Sequence, residues 1–177
     1  VQTVSVAATT VLTLPTTINA RTNFYVDWGD GNCSHVTNTS ANSELSYTYN
    51  LAGENQVRIV GVVDNWGVDW TDANYATLVK SVDNLGDVGW TNLSLAFSDL
   101  QTMTSFKALH TDTSNVTDMS AMFYSATGLT SLDLSNFNTS SVETMENMFS
   151  SANALTSINL SSFATNQVKN MSNMFSY

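Results

Sequence analysis

The chain has 177 residues, with 5 Lys and Arg against 15 Asp and Glu and a formal net charge of −10. Ser, Thr and Asn number 23, 24 and 20, more than a third of the chain, while 11% of residues are charged and 42% are hydrophobic. The apolar fraction suffices for a packed core. Five scattered cations cannot neutralise a phosphate backbone or hold an anionic bilayer, so nucleic acid is excluded as a partner. No apolar run reaches the ~18 residues that a transmembrane segment requires.

Residues 1 to 62 carry short strand-like runs separated by polar turns: TVSVAATTVLTL, TNFYVDWG, SELSYTYN and NQVRIVGVV. This is the pattern of an all-β sandwich. Asp30-Gly31, after the strand Phe24–Trp28, marks a tight turn. Cys33 and His35 come next and are expected as exposed polar residues of a hairpin loop. Cys33 is alone, so neither an intrachain disulfide nor a cysteine-based zinc site within the chain is available. The intact DWGDG at 27–31 and the Tyr47-Thr48-Tyr49 strand resemble a PKD-type immunoglobulin-like domain, although Asn55 and Gln56 stand where that family has an aromatic. Residues 63–74 read as a junction in which Trp66 and Trp70 cap the first unit of the repeat array.

From about Tyr75 the chain repeats itself every 26 residues. VTDMSAMFYSATGLTSLDLSNFNTSS from Val116 aligns without a gap on VETMENMFSSANALTSINLSSFATNQ from Val142. VKNMSNMFSY from Val168 begins a further unit that is incomplete. Val116, Met119, Met122 and Phe123 are spaced as one face of a short helix. Leu132 and Leu134 alternate with polar residues as in a half-buried strand. A helix and a strand per unit, stacked side by side, predict an α/β leucine-rich-repeat solenoid over 75–177. The Val-x-x-Met-x-x-Met-Phe and Leu-x-x-Leu-x-Leu-Ser-x-Phe motifs resemble leucine-rich-repeat surface proteins of the BspA type. That resemblance implies bacterial surface display and adhesion, outside the cell, without naming a ligand.

Catalytic residues are not found. His35 and His110 fall in different predicted domains, and neither a nucleophile elbow nor a phosphate-binding loop occurs. The expected activity is therefore non-enzymatic binding. The candidate surface is the outward side of the repeat strands: Ser105 and Lys107, then Ser131, Asp133 and Ser135, then Ser157, Asn159 and Ser161. Short polar groups on a rigid platform suit hydrogen bonds to a protein or glycan on a host, a neighbouring cell or the matrix. A second reading is a structural subunit that contacts its own kind head-to-tail in an extracellular filament, appendage or virion fibre. No cofactor is expected. The weak candidates for a metal site are Asp64, Asp69 and Asp72, whose oxygens would take Ca²⁺. The six Met residues of the repeats are expected as core filling.

Overall fold

The computed structural model describes residues 2–7, 9–67 and 73–177. The N-terminal half folds as its alternating residues dictate. Strands β1 (Gln2–Val6), β3 (Asn23–Asp27), β4 (Cys33–Thr37) and β6 (Gly53–Val62) form antiparallel pairs, with β3 between β4 and β6, and β6 between β3 and β1. Phe24, Val26, Val36 and Val57 point inward and are buried. A second layer, the antiparallel pair β2 (Val11–Thr13) and β5 (Ser46–Thr48), closes the core with Leu12, Leu14, Leu45 and Tyr49. The layers are tied by the buried Tyr49 hydroxyl, which donates to the Trp28 carbonyl at 2.9 Å. The Trp28 and Tyr47 rings also stack, 4.9 Å apart.

Strand β4 corrects the loop expected around Cys33 and His35. Cys33–Thr37 pairs residue by residue with Asp27–Asn23. Its polar sequence hid it, because only Val36 of the five is buried. An antiparallel strand with one face in water needs apolar residues on its covered face alone.

The two halves share a sheet and a core. After the α-helix α1 (Ala73–Leu78), strand β7 (Val79–Asn84) pairs antiparallel with β1, and β8 (Ser105–Leu109) pairs parallel with β7. The full sheet order is β4-β3-β6-β1-β7-β8. Gly67, at φ +115°, sits where an added Cβ would run into the Ser94 carbonyl, so only glycine allows this approach at the join. Trp66 is buried there, edge-on to Trp90 and Tyr75. Trp70 lies outside the described residues.

The α/β leucine-rich-repeat solenoid expected for 75–177 is overturned. Among the described residues α-helix is confined to the six of α1, and the protein is all-β in class. The repeat strands form no continuous sheet either: β9 (Ser131–Asp133) and β10 (Ser157–Asn159) make a separate parallel pair. Ala108, inside β8, and His110, just after it, have φ of 44° and 49°, and the register between β7 and β8 shifts beyond Val82.

The segments read as helices are chains of turns. Leu95, Ala121, Asn147 and Asn173, 26 residues apart, all have positive φ, between 51° and 60°. Asp99, Ser125 and Ser151 do the same four residues later. A helix requires negative φ throughout, so it cannot propagate past either point. The backbone instead divides its donors. The N–H groups of Met119, Ala121, Phe123 and Ser125 donate to the carbonyls of Thr144, Glu146, Met148 and Ser150 in the next unit, at 2.7–3.0 Å. Those of Met122, Tyr124 and Ala126 donate three residues back within the same unit. The pattern recurs from Leu93–Asp99 to Asp118–Tyr124 and from Met145–Ser151 to Asn170–Ser176. Val116, Met119, Met122 and Phe123 are still buried, because the turns present them to one side; the expectation that all six repeat Met residues fill the core fails at Met171, which is exposed with Phe175 in the last unit.

Candidate functional site

The outward side of β9 and β10 is built by register. Ser131 lies opposite Ser157, Leu132 opposite Ile158 and Asp133 opposite Asn159. Leu132 is buried and Ile158 half-buried, which turns Ser131, Asp133, Ser157 and Asn159 out to solvent. Neighbouring strands stand about 4.8 Å apart. The four side chains therefore form a small exposed lattice of hydroxyl, carboxylate and amide groups.

Part of this chemistry is already committed inside the chain. Asp133 Oδ1 accepts the Ser135 N–H at 2.9 Å, and Asn159 Oδ1 accepts the Ser161 N–H at 3.1 Å. These are Asx-turns that end each strand. The Ser135 N–H holds the Asp133 carboxyl below its ordinary value, so it is ionised under ordinary conditions. The Asp133 carboxylate is also held by the Ser135 and Asn159 side chains, while Ser131, Asp133, Ser157 and Asn159 all remain exposed.

The structure does not bring the first unit of the predicted face into this lattice. Ser105 and Lys107 sit on β8, in the six-stranded sheet, with Ser105 paired against Ser81. The Lys107 ammonium lies 3.7 Å from Asp83, with the lysine exposed and the aspartate half-buried. Ser135 is half-buried and Ser161 exposed.

Asp64 is a structural hub. Its Oδ1 accepts from Asn19 Nδ2 at 2.6 Å and from Asn65 Nδ2 at 3.2 Å, while Arg21 stands 3.5 Å from Oδ2. Its carbonyl accepts the Thr91 and Asn92 N–H groups and the Thr91 hydroxyl. These partners occupy the oxygens a cation would use. Asp69 and Asp72 lie outside the described residues. Among the described residues no group of three or more His, Cys, Asp or Glu side chains is arranged to hold a metal ion.

Two concavities add little chemistry. A cavity of about 40 Å³ lies beneath Trp66 and Trp90, bounded by Gln2, Val57, Asn84 and Val88. It admits a few waters, far below the ~300 Å³ of a small-molecule site. A wide polar groove of about 380 Å³ runs between Asp27, Gly29, Gly31, Glu54, Gln56 and Arg58. Beside it, Asp30 accepts the Tyr47 hydroxyl at 2.7 Å, which lowers the carboxyl and raises the phenol from their ordinary values.

The residue roles that motif reading missed are the buried threonines. Thr113 and Thr139, 26 residues apart, are fully buried. Thr139 Oγ1 donates to the Ala164 carbonyl at 3.0 Å and accepts the Ala164 N–H at 2.8 Å. Thr113 does the same with Asn138, both contacts at 2.9 Å. Their recurrence at the repeat period was the available signal.

Comparison with known proteins places a family match on the repeats. Residues 91–177, just under half of the chain, match the model of a family described as Mycoplasma protein of unknown function, DUF285. No curated protein and no solved structure matches the chain.

Proposed function

We propose that the chain is a non-enzymatic binding module displayed outside a bacterial cell, holding a protein or glycan by hydrogen bonds on the β9–β10 face. The observation that carries this reading is the register-matched lattice of Ser131, Asp133, Ser157 and Asn159, exposed on a backbone fixed from unit to unit. A rigid platform loses little entropy on binding, so modest polar contacts yield net affinity. The resemblance of the repeat motifs to BspA-type surface proteins and of DWGDG to PKD-type domains supports the same reading, taken without the helical fold.

The test is a binding screen against immobilised extracellular-matrix proteins and an array of glycans. It compares the native chain with a variant in which Ser131, Asp133, Ser157 and Asn159 are all replaced by Arg. The expected result is a captured ligand whose binding weakens at least 10-fold in the variant, with an unchanged circular dichroism melt. Equal binding by the two proteins would exclude this face as the contact.

A further inference from the structure

The polar groove beside the Asp27–Asn32 turn gains its chemistry from the sheet surface it opens onto. Its residues Glu54, Gln56 and Arg58 are successive outward positions of β6, and Val60 is the next; all four are exposed. They span about 20 Å along the strand. Across from them on β3, Asp27 is the register partner of Arg58 and Tyr25 that of Val60. The groove and the Tyr25–Val60 pair are therefore one continuous strip on the outer face of the sheet. The groove alone, about 380 Å³, falls in the size range of small-molecule sites.

One end of the strip is apolar and already oriented. Tyr25 is 58% exposed and Val60 69%. His35, opposite Tyr25 on β4, stacks on one face of the phenol ring at 4.0 Å with a 6° tilt. The imidazole is fixed in turn by Nε2, which lies 2.9 Å from Asn23 Oδ1. The other face of the phenol ring looks toward Val60, whose side chain is too short to cover it. The result is an upright aromatic wall above an aliphatic floor. The polar end is fixed as well. Gly29, at φ +85°, lies so close to β6 that an added Cβ would come within 2.7 Å of the Gln56 backbone nitrogen. Asp27 Oδ1 accepts the Gly29 N–H at 2.9 Å, and Arg58 donates to Gln56 Oε1 at 3.1 Å. Walls set in advance reduce the ordering cost of binding.

We propose that this strip binds a short uncharged oligosaccharide, its sugar rings laid along β6 from Val60 to Glu54. A pyranose has a face rich in C–H groups and a rim of hydroxyls. The C–H face packs on the Tyr25 ring and Val60, which removes apolar surface from water. The hydroxyls of the following units meet Asp27, Arg58, Gln56 and Glu54. Each hydroxyl both donates and accepts, and these side chains supply both roles: carboxylate and amide oxygens accept, guanidinium and amide nitrogens donate. A peptide has no comparable fit, because β6 lies between β3 and β1 and its backbone is already paired on both sides. An added strand therefore finds no edge along this strip. Two carboxylates against one guanidinium, in a chain of net charge −10, also disfavour an acidic sugar. The strip belongs to a different sheet from β9 and β10, so it stands independently of the face proposed there.

The test is a titration of the full isotope-labelled chain with neutral trisaccharides of glucose, mannose, galactose and N-acetylglucosamine, followed by NMR and calorimetry. The expected result is saturable binding of at least one of these sugars, one molecule per chain, with shifts centred on Tyr25, Asp27 and the β6 positions from Glu54 to Val60. Tyr25→Ala should weaken that binding by about 10-fold, and Tyr25→Phe should leave it nearly unchanged, because the ring and not the hydroxyl makes the contact. Gln56→Ala should cost about 5-fold, the worth of a net hydrogen bond. The variant with Arg at Ser131, Asp133, Ser157 and Asn159 should bind as the native chain does. All variants are compared at native circular dichroism. No saturable binding by any of the trisaccharides, shifts centred elsewhere, undiminished binding by Tyr25→Ala, or loss of binding in the four-Arg variant would each overturn the proposal.

Discussion

At the scale of single residues, the excess of Ser, Thr and Asn has a physical origin in turn chemistry. Asn92, Asp118, Asp133, Asn138, Asn159 and Asn170 each accept the backbone N–H of a serine two residues on. An Asx-turn of this kind writes Asn-x-Ser into the sequence wherever the acceptor is Asn, so the Asn-x-Ser triplets at Asn92, Asn138, Asn159 and Asn170 are turn signatures. The buried threonines go further, since each clasps a strand-like segment of the following unit from both sides. Thr139→Val keeps the shape and leaves the N–H and C=O of the half-buried Ala164 without their Thr139 partner. It should destabilise the protein by about 2 kcal/mol in urea unfolding, whereas Thr139→Ser should cost less than half of that. These roles were invisible to composition alone. Only the structure says which of 24 threonines turns inward.

At the scale of the repeat unit, apolar spacing located the core correctly and misjudged the backbone that presents it. Val116, Met119, Met122 and Phe123 are buried as expected. The spacing of buried residues constrains which side chains share a side, not which dihedrals put them there. Ser, Thr and Asn side chains compete for backbone N–H groups and weaken helices in favour of turns. That competition, concentrated at Asp118–Ser120 and its equivalents, outweighed the periodicity. The stacking itself is carried by aromatic rings: Phe97, Phe123, Phe149 and Phe175 form a column with centroids 5.4–5.9 Å apart. Phe123 is fully buried in mid-column, while Phe175 is 47% exposed. Phe123→Ala should therefore cost about 3–5 kcal/mol. Phe175→Ala should cost roughly 1–2 kcal/mol, because much of its ring is already in water. Chemical denaturation of the two variants side by side checks the contrast.

At the scale of the whole molecule, the boundary visible in the sequence is a change of texture inside one continuous core. Strand β1 pairs with β6 of the first half and with β7 beyond it, and the buried apolar residues form a single cluster from Val4 to Met174. The two-layer β arrangement of the N-terminal half and the 26-residue period were legible from alternation and self-similarity. The shared sheet was not, because β1 and β7 are far apart in sequence and nothing local encodes their pairing. The polar edge strand β4 escaped for the opposite reason, since a strand that buries one residue leaves almost no pattern. Alternation alone put Ser105 and Lys107 on the same face as β9 and β10, whereas β8, which carries them, pairs with β7 in the six-stranded sheet and β9 pairs with β10.

Units 26 residues apart lie in register through short parallel pairing, and that register is what creates the candidate face. Paired cysteines test it directly in a Cys33→Ser background. Ser131→Cys with Ser157→Cys places the two Cα atoms about 4.8 Å apart, within disulfide range. Ser131→Cys with Asn159→Cys shifts one partner by two residues, to roughly 8 Å. Mild oxidation should cross-link the first pair quantitatively, as a monomer, and leave the second reduced. Equal cross-linking of both pairs, or capture of the second alone, would contradict the register and with it the face.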